Sequence, residues 1–329
     1  MSPTFYSALS ANRWRTAWLM LLFPAMIASI AFLAVFAIAF AQQQDFGLAT
    51  LHAGDLFFSI IPFLTIGAVV WITIALAFGK HMILAFSGAN PIEKRDNPEL
   101  FRTVENLAIR TGIPTPNIYI IEDESMNAFA TGFSPTDSAV AITTGLLKKL
   151  DKNELEAVMA HEFGHILHRD IRIMLIAVTM VGIIQLLAEV ILRVVFQNIR
   201  AFSNGDEKKD SGQIIFVMIA AAVVIWLISF LGAIFVQMGI SRKRELMADA
   251  QSANLTRNPT ALISALQKIS TDARVEILDG KRSIAAMCIA DPLETKSSFF
   301  DSLSGLFSSH PPVQERIEAL QGMSGTLPA

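Results

Sequence analysis

Four long apolar runs interrupt otherwise mixed sequence in this chain: Ala17 to Ala41, Leu56 to Phe78, Ile171 to Phe196 and Ile214 to Ile240. The first two carry no formally charged side chain and are long enough to cross about 30 Å of hydrocarbon as helices, which predicts two membrane spans. The last is equally clean and ends on Ser241-Arg242-Lys243-Arg244. The third differs, with Arg172 at its start and Glu189 and Arg193 in its distal half. Charge in hydrocarbon is costly, so that helix is expected to tilt, to reach an interface there, or to turn Glu189 toward protein or water; it is read as spanning, with a hairpin that dips into the membrane without fully crossing as the alternative. Glu189 and Arg193 stand one helical turn apart, where they can pair. A cleavable signal peptide is the bland alternative for the first run, disfavoured by its length and by the second run close behind it.

Between the second and third runs the pattern changes to that of a small α+β unit. Leu100, Val104, Leu107 and Ala108 recur at helical spacing within Pro98–Thr111, and Gly112 to Pro116 stops that helix. Asn117 to Ile121, Met126 to Thr131 and Ala139 to Thr143 read as strands, with a turn through Gly132, Ser134 and Pro135, and Gly145 opens a short helix ending near Leu150. Asp151 is a predicted N-cap, and Glu154 three positions on completes a capping box. In the helix that follows, Leu155, Val158, Met159, Phe163 and Ile166 form the apolar stripe, interleaved with His161, His165 and His168. Beyond Asp249, helices are predicted over Thr260–Ser270 and Pro311–Gln321. The less regular Asp272–Ser309 region between them suits a lid, a cleft wall or a membrane-contacting loop.

Composition supports a membrane setting: 53% of the 329 residues are apolar and 17% charged, against roughly 25% charged in an ordinary soluble domain. A formal charge of −3 gives no case for a nucleic-acid partner. The single cysteine, Cys288, excludes an intrachain disulfide and sits in an apolar Met-Cys-Ile-Ala setting that suits a buried small hydrophobe. Basic residues predict topology. Arg13 and Arg15 precede the first run, Lys80, Lys94 and Arg95 follow the second, and the Gln42–Asp55 loop between them has neither Lys nor Arg. Both ends of that hairpin, and the end of the fourth run at Arg242-Lys243-Arg244, are expected on the cytoplasmic side.

His161-Glu162-Phe163-Gly164-His165 carries the chemistry. On a helix its two histidines share a face and can grip one zinc ion, with Glu162 placed to act as base. Alone the pattern recurs by chance, and histidines in apolar helices are often core residues held by hydrogen bonds. Catalytic zinc needs a third protein ligand and an open position. The tract Arg244-Glu245-Leu246-Met247-Ala248-Asp249 offers two carboxylates one turn apart: Glu245 as ligand, Asp249 as hydrogen-bond acceptor for an imidazole, that of His161. The competing reading of this tract is a solvated helix beside a basic membrane boundary. His168, seven residues after His161, is treated as a supporting or solvent-facing residue rather than a ligand.

Three segments in order, His161 to Asp170, Arg242 to Asp249 and Ser309-His310-Pro-Pro-Val-Gln-Glu-Arg316, resemble the HtpX family of membrane zinc endopeptidases, distant relatives of the CAAX prenyl proteases. Asn127-Ala-Phe-Ala-Thr-Gly132, the four apolar runs and Asn12 to Thr16 extend the likeness over almost the whole chain. It implies a gluzincin site in which His161, His165 and Glu245 hold one zinc ion per subunit and Glu162 is the general base. It further implies that Asn127, Ala128, Phe129 and Ala130 lie on an edge strand that pairs with an extended substrate, that His310 donates to the transition-state oxyanion, and that Arg316 organises it. For these last two a capped helix start around His310-Pro311 with a surface arginine stays open. Leu246 departs from the aromatic residue common after the ligand glutamate, which bears on packing more than chemistry.

The expected fold is α+β: a mainly helical integral membrane protein with about four hydrophobic helices and a zincin-like catalytic domain carrying a small β-sheet. Residues 1–86 would form an N-terminal membrane hairpin, 87–170 and 241–329 the two parts of the catalytic domain, and 171–240 a second hydrophobic hairpin. By the resemblance, the expected activity is cleavage of membrane or misfolded proteins at the cytoplasmic face of a bacterial inner membrane, in protein quality control and stress response. The partners are lipid and unfolded or membrane-protein substrates, with oligomeric state open. A specialised peptidase for one membrane or lipidated substrate, and a non-catalytic scaffold or transporter with structural histidines, remain the alternatives.

Overall fold

The structure, a computed structural model, describes residues 5–43, 45–203, 211–239, 242–271, 288–289 and 311–324. The chain divides into two compact units. One comprises Ala17–Ala75 and Thr179–Phe235; the other comprises Met1–Thr16, Leu76–Val178 and Val236–Ala329.

The first unit draws on α1 (Phe5–Gln43), α2 (Phe46–Phe86), α6 (Asp170–Ser203) and α7 (Ser211–Gly239). Three helices are long and apolar enough to cross a membrane by length and composition: Leu21–Gln43, Phe46–Phe86 and Asp170–Val194. Within α7 the shorter stretch Ile215–Ser229 is apolar. Packing in this unit combines small residues with buried Phe23, Phe40, Met218 and Ile225. Ala39, Ala49 and Ala53 are buried beside Phe40, and Ala41 packs with Met218 and Ala222. Small side chains let helix backbones approach where lipid offers no hydrophobic driving force between them. Large apolar side chains such as Phe58 and Phe63 face outward, 73% and 74% exposed. Glu189 and Arg193 pair across one turn of α6, both side chains exposed.

The second unit holds the sheet. Its strands, β1 (Ala89–Pro91), β2 (Asn117–Ile121), β3 (Ala128–Ser134) and β4 (Asp137–Thr143), run in the order β1-β2-β4-β3. β2 pairs parallel with β4, and the other two pairings are antiparallel. β3 is thus an edge strand. The sequence placed it at Met126–Thr131. It starts later because the Asn127 backbone is tied to Thr143 at the end of β4, and runs further because the hairpin closes through Pro135-Thr136 with Ser134 opposite Asp137. Gly132, at φ +142° and with a virtual Cβ only 2.1 Å from the Asp137 carbonyl oxygen, permits the irregularity before that turn. β1 has no sequence signal, being three residues long and ending in proline.

Helices cover the sheet. α3 (Pro98–Thr111) begins where the Asn97 side chain accepts the Leu100 amide at 3.1 Å and ends at Gly112, whose left-handed φ of 71° caps it. α4 (Thr144–Lys149) follows β4 directly. α5 (Lys152–Leu167), α8 (Arg242–Thr256), α9 (Pro259–Ile269) and α10 (Val313–Ser324) complete the unit. One core joins Leu107 of α3, Ile142 of β4, Phe163 of α5, Leu262 of α9 and Leu320 of α10. Arg172, a puzzle for a membrane helix, belongs to this unit, its guanidinium 4.2 Å from the Phe133 ring centre.

Candidate metal centre

α5 is fixed at its start by the capping box that its sequence predicts. Asp151 accepts the Asn153 and Glu154 amides at 2.8 and 2.9 Å, and Glu154 accepts the Asp151 amide at 2.8 Å. Glu154 is buried and also takes hydrogen bonds from Ser264 and Lys268 of α9, each 2.6 Å long, which lock the helix to its neighbour. Burial raises the Glu154 pKa, but Lys268, Ser264 and the Asp151 amide outweigh it and hold the carboxyl below its ordinary value.

Further along, α5 meets α8. A Cβ on Gly164 would lie 3.0 Å from the Ala248 Cα, so glycine permits this close approach, and Ser252 of α8 donates to the Ala157 carbonyl at 2.7 Å. That contact carries Glu245 to the histidines. His161 Nε2 and His165 Nε2 are 3.2 Å apart, and the Glu245 carboxylate oxygens lie 3.6 Å from the first and 3.4 Å from the second. These three side chains form the one group of possible metal donors among the described residues. All three are buried.

The separations suit a small tetrahedral cation. Bonds of about 2.0–2.2 Å at tetrahedral angles place neighbouring ligand atoms about 3.3–3.6 Å apart. The outer ring nitrogens point the same way. His161 Nδ1 lies 2.9 Å from Asp249 Oδ1 and His165 Nδ1 lies 3.2 Å from Asp170 Oδ2. Each carboxylate can only accept, so each Nδ1 carries a proton, and Nε2 is the ring atom turned toward Glu245 and available to a metal. Arg316 Nη2 also approaches His161 Nδ1, at 3.4 Å, but the shorter carboxylate contact sets the tautomer. Four buried carboxylates, Glu162, Asp170, Glu245 and Asp249, stand against two buried guanidiniums, Arg244 and Arg316. The buried acids outnumber the guanidiniums, an excess that favours a cation among them.

The electrostatics agree. Burial alone would lower the His165 pKa, yet Glu245, Asp170 and Glu162 together raise it to about 9, so the site attracts positive charge. Burial pushes the Glu162 carboxyl up, against the opposing pull of the two histidines and of a hydrogen bond from the Ala130 backbone. Asp249 is held below its usual range by Arg316, which overcomes the cost of burial. Arg316 grips Asp249 with two hydrogen bonds, 2.9 and 2.6 Å, and donates a third to the Ile289 carbonyl at 2.9 Å. It is a buried residue of α10, not a surface arginine.

The structure therefore brings together His161, Glu162, His165, Glu245, Asp249 and Arg316, from three helices. His310 lies outside the described residues, as does most of Asp272–Ser309. Asn127 to Ala130 lie at the start of β3 and just before it, and the Ala130 backbone reaches Glu162. The Ile289 amide donates to the Ala128 carbonyl at 2.9 Å, so part of the edge is already paired within the chain. His168 is buried at the C-terminal end of α5 and outside the donor group, its pKa lowered by burial. Cys288 is buried.

Sequence reasoning missed Asp170, Arg244 and Gly164. Asp170 comes five positions after His165, off the ligand face of an unbroken helix. Arg169, at a left-handed φ of 58°, breaks the helix and lets Asp170 turn back to the imidazole.

The model of peptidase family M48 matches residues 94–324. A "Protease HtpX homolog" of Bacteroides fragilis is 36% identical over 315 residues, covering 95% of this chain and 96% of the relative. Another, of Lactobacillus helveticus, is 35% identical over 319 residues, covering 97% and 99%. Among solved structures, the crystal structure of S. mikatae Ste24p aligns with 93% of this chain and 65% of its own length, at 19% identity and a TM-score of 0.44.

Proposed function

The chain belongs to peptidase family M48 as an HtpX-type member, and on that premise we propose that it is a multi-pass membrane zinc endopeptidase. The observation that carries the proposal is the convergence of His161 Nε2, His165 Nε2 and the Glu245 carboxylate at the separations of a tetrahedral ion, beside the buried Glu162.

His161, His165 and Glu245 would hold the zinc ion, with access left for water or substrate. Bound zinc would acidify the attacking water and polarise the scissile carbonyl. Glu162 takes the water's proton and passes it to the departing amine. Its hydrogen bond from the Ala130 backbone fixes that carboxylate against β3, the strand along which the substrate is to lie. Asp249 keeps His161 in the ligating tautomer, and Arg316 holds Asp249. His310 supplies the oxyanion donor, an assignment that rests on the family resemblance.

The substrate adds to the edge of β3 across Asn127, Ala128, Phe129 and Ala130. Asn127 bonds to Thr143 of β4, so alternation turns the Ala128, Ala130 and Gly132 peptide groups outward. With the Ala128 carbonyl held by Ile289 and Ala130 reaching Glu162, the Ala130 carbonyl is the outward group offered first to an extended peptide. Backbone pairing reads little side-chain identity, which suits unfolded or membrane-protein substrates and a quality-control role in a bacterial inner membrane. The basic residues flanking the first hairpin set both of its ends, and the catalytic part, on the cytoplasmic side.

The test is Glu162→Gln in detergent or bilayer. Zinc content should stay at one per chain while cleavage of an unfolded reporter falls about 10²–10⁴-fold. Undiminished cleavage would remove Glu162 from the mechanism; absence of zinc from wild type under metal-replete conditions would remove the site.

A further inference from the structure

Each histidine of the centre is backed by a carboxylate and then by an arginine. His161 leads to Asp249 and Arg316. On the other side, His165 Nδ1 lies 3.2 Å from Asp170 Oδ2, and Asp170 Oδ1 lies 3.5 Å from Arg244 Nη1. The Asp170 and Arg244 side chains are 2% and 9% exposed, as enclosed as the ligands they support. We propose that Asp170 and Arg244 are a second pair of positioning residues, which hold His165 as the Nδ1–H tautomer and aim its Nε2 at the metal. This rests on the zinc site proposed above.

Two features argue for positioning rather than incidental burial. A buried carboxylate without a counter-charge is expensive, and Arg244 supplies that charge from the residue adjoining Glu245, so the group that steadies His165 moves with the third ligand. Asp170 reaches His165 only through the left-handed turn at Arg169, a conformation disfavoured for a residue with a Cβ and held here by the structure around it. Asp170 is also the first residue of α6, and Arg244 lies in the first turn of α8. The pair therefore fastens the starts of both helices to one metal ligand. Its contacts are longer than their counterparts in the first pair, 3.2 against 2.9 Å from carboxylate to imidazole and 3.5 against 2.6 and 2.9 Å from arginine to carboxylate, so its loss should cost less.

The experiment compares purified full-length wild type, Asp170→Asn, Asp170→Glu and Arg244→Gln by zinc affinity in chelator competition and by the visible absorption of the cobalt(II)-substituted protein. Asp170→Asn should weaken zinc binding about 10- to 100-fold and shift the cobalt bands, because an amide can present either a donor or an acceptor to Nδ1. Asp170→Glu should restore part of the affinity, and Arg244→Gln should weaken binding less than Asp170→Asn. Wild-type affinity and an unchanged cobalt spectrum in Asp170→Asn would overturn the proposal. Should that variant not fold, wild-type values in Arg244→Gln would overturn it equally. Failure of wild type itself to bind zinc would strike the metal reading instead.

Discussion

In the unit of Ala17–Ala75 and Thr179–Phe235, alanines such as Ala37, Ala49, Ala53 and Ala68 are fully enclosed, while Phe58, Phe63 and Trp226 face outward. In the other unit Phe129, Met159 and Phe163 are enclosed, and so is every buried charged side chain among the described residues, from Glu154 and Glu162 to Arg316. The contrast follows from the solvent each surface is built for. Lipid is as apolar as leucine, so the membrane unit can leave many large side chains facing outward, and it packs through alanines as well as through buried Phe23, Phe40 and Ile225. The unit with the sheet collapses around large apolar groups, and its dry interior strengthens the charge pairs around the group of possible metal donors.

Substitutions in matched pairs put this to the test. The largest stability effect is expected from removing one partner of a buried ion pair. Arg316→Ala strands Asp249 and should cost about 3–5 kcal/mol, read as a lower melting temperature of the metal-free protein with loss of zinc affinity; an unchanged melting temperature would mean that the pair is not buried as described. Phe163→Ala should cost about 3–5 kcal/mol through a core cavity, whereas the same truncation at outward-facing Phe63 should have little effect on stability in a bilayer. Equal losses at the two positions would abolish the distinction between the units.

Smaller effects probe close contacts. Gly164→Ala forces a Cβ to 3.0 Å from the Ala248 Cα and should cost about 1–3 kcal/mol by overpacking. It should also weaken zinc binding, since α8 carries Glu245; unaltered affinity would show that α8 can shift without moving the ligand. The smallest concerns pH. The Glu154 pKa is depressed below its ordinary 4.5, so the stability it contributes is complete above about pH 4.5 and is lost as pH falls through the lower folded value. Glu154→Gln should flatten that acid limb of the melting-temperature profile, and an unchanged limb would assign acid sensitivity to other carboxylates.

Much of this protein was legible before folding. The helix at Pro98–Thr111, the strand at Asn117–Ile121 and the Asp151–Glu154 capping box coincide with their predicted positions because each is set by short-range signals: a proline start, a glycine stop, a reciprocal cap. What was hidden depends on residues distant in sequence. The parallel pairing of β2 with β4 leaves β3 at the edge, and no local pattern specifies that order. Arg316 looked equally at home on a surface, because its burial needs Asp249, sixty-seven positions earlier, as counter-charge.

The amino-acid sequence by itself determined that the chain has membrane-length apolar helices, a helix with two histidines on one face, and a carboxylate tract suited to join them, since periodicity and residue chemistry are local properties. Only the tertiary structure decided that Gly164 admits α8 closely enough for Glu245 to reach the histidines, and that a left-handed Arg169 folds Asp170 back onto His165. Metal coordination needs donors set within a few tenths of an ångström, and precision of that kind comes from packing between helices that the sequence keeps apart.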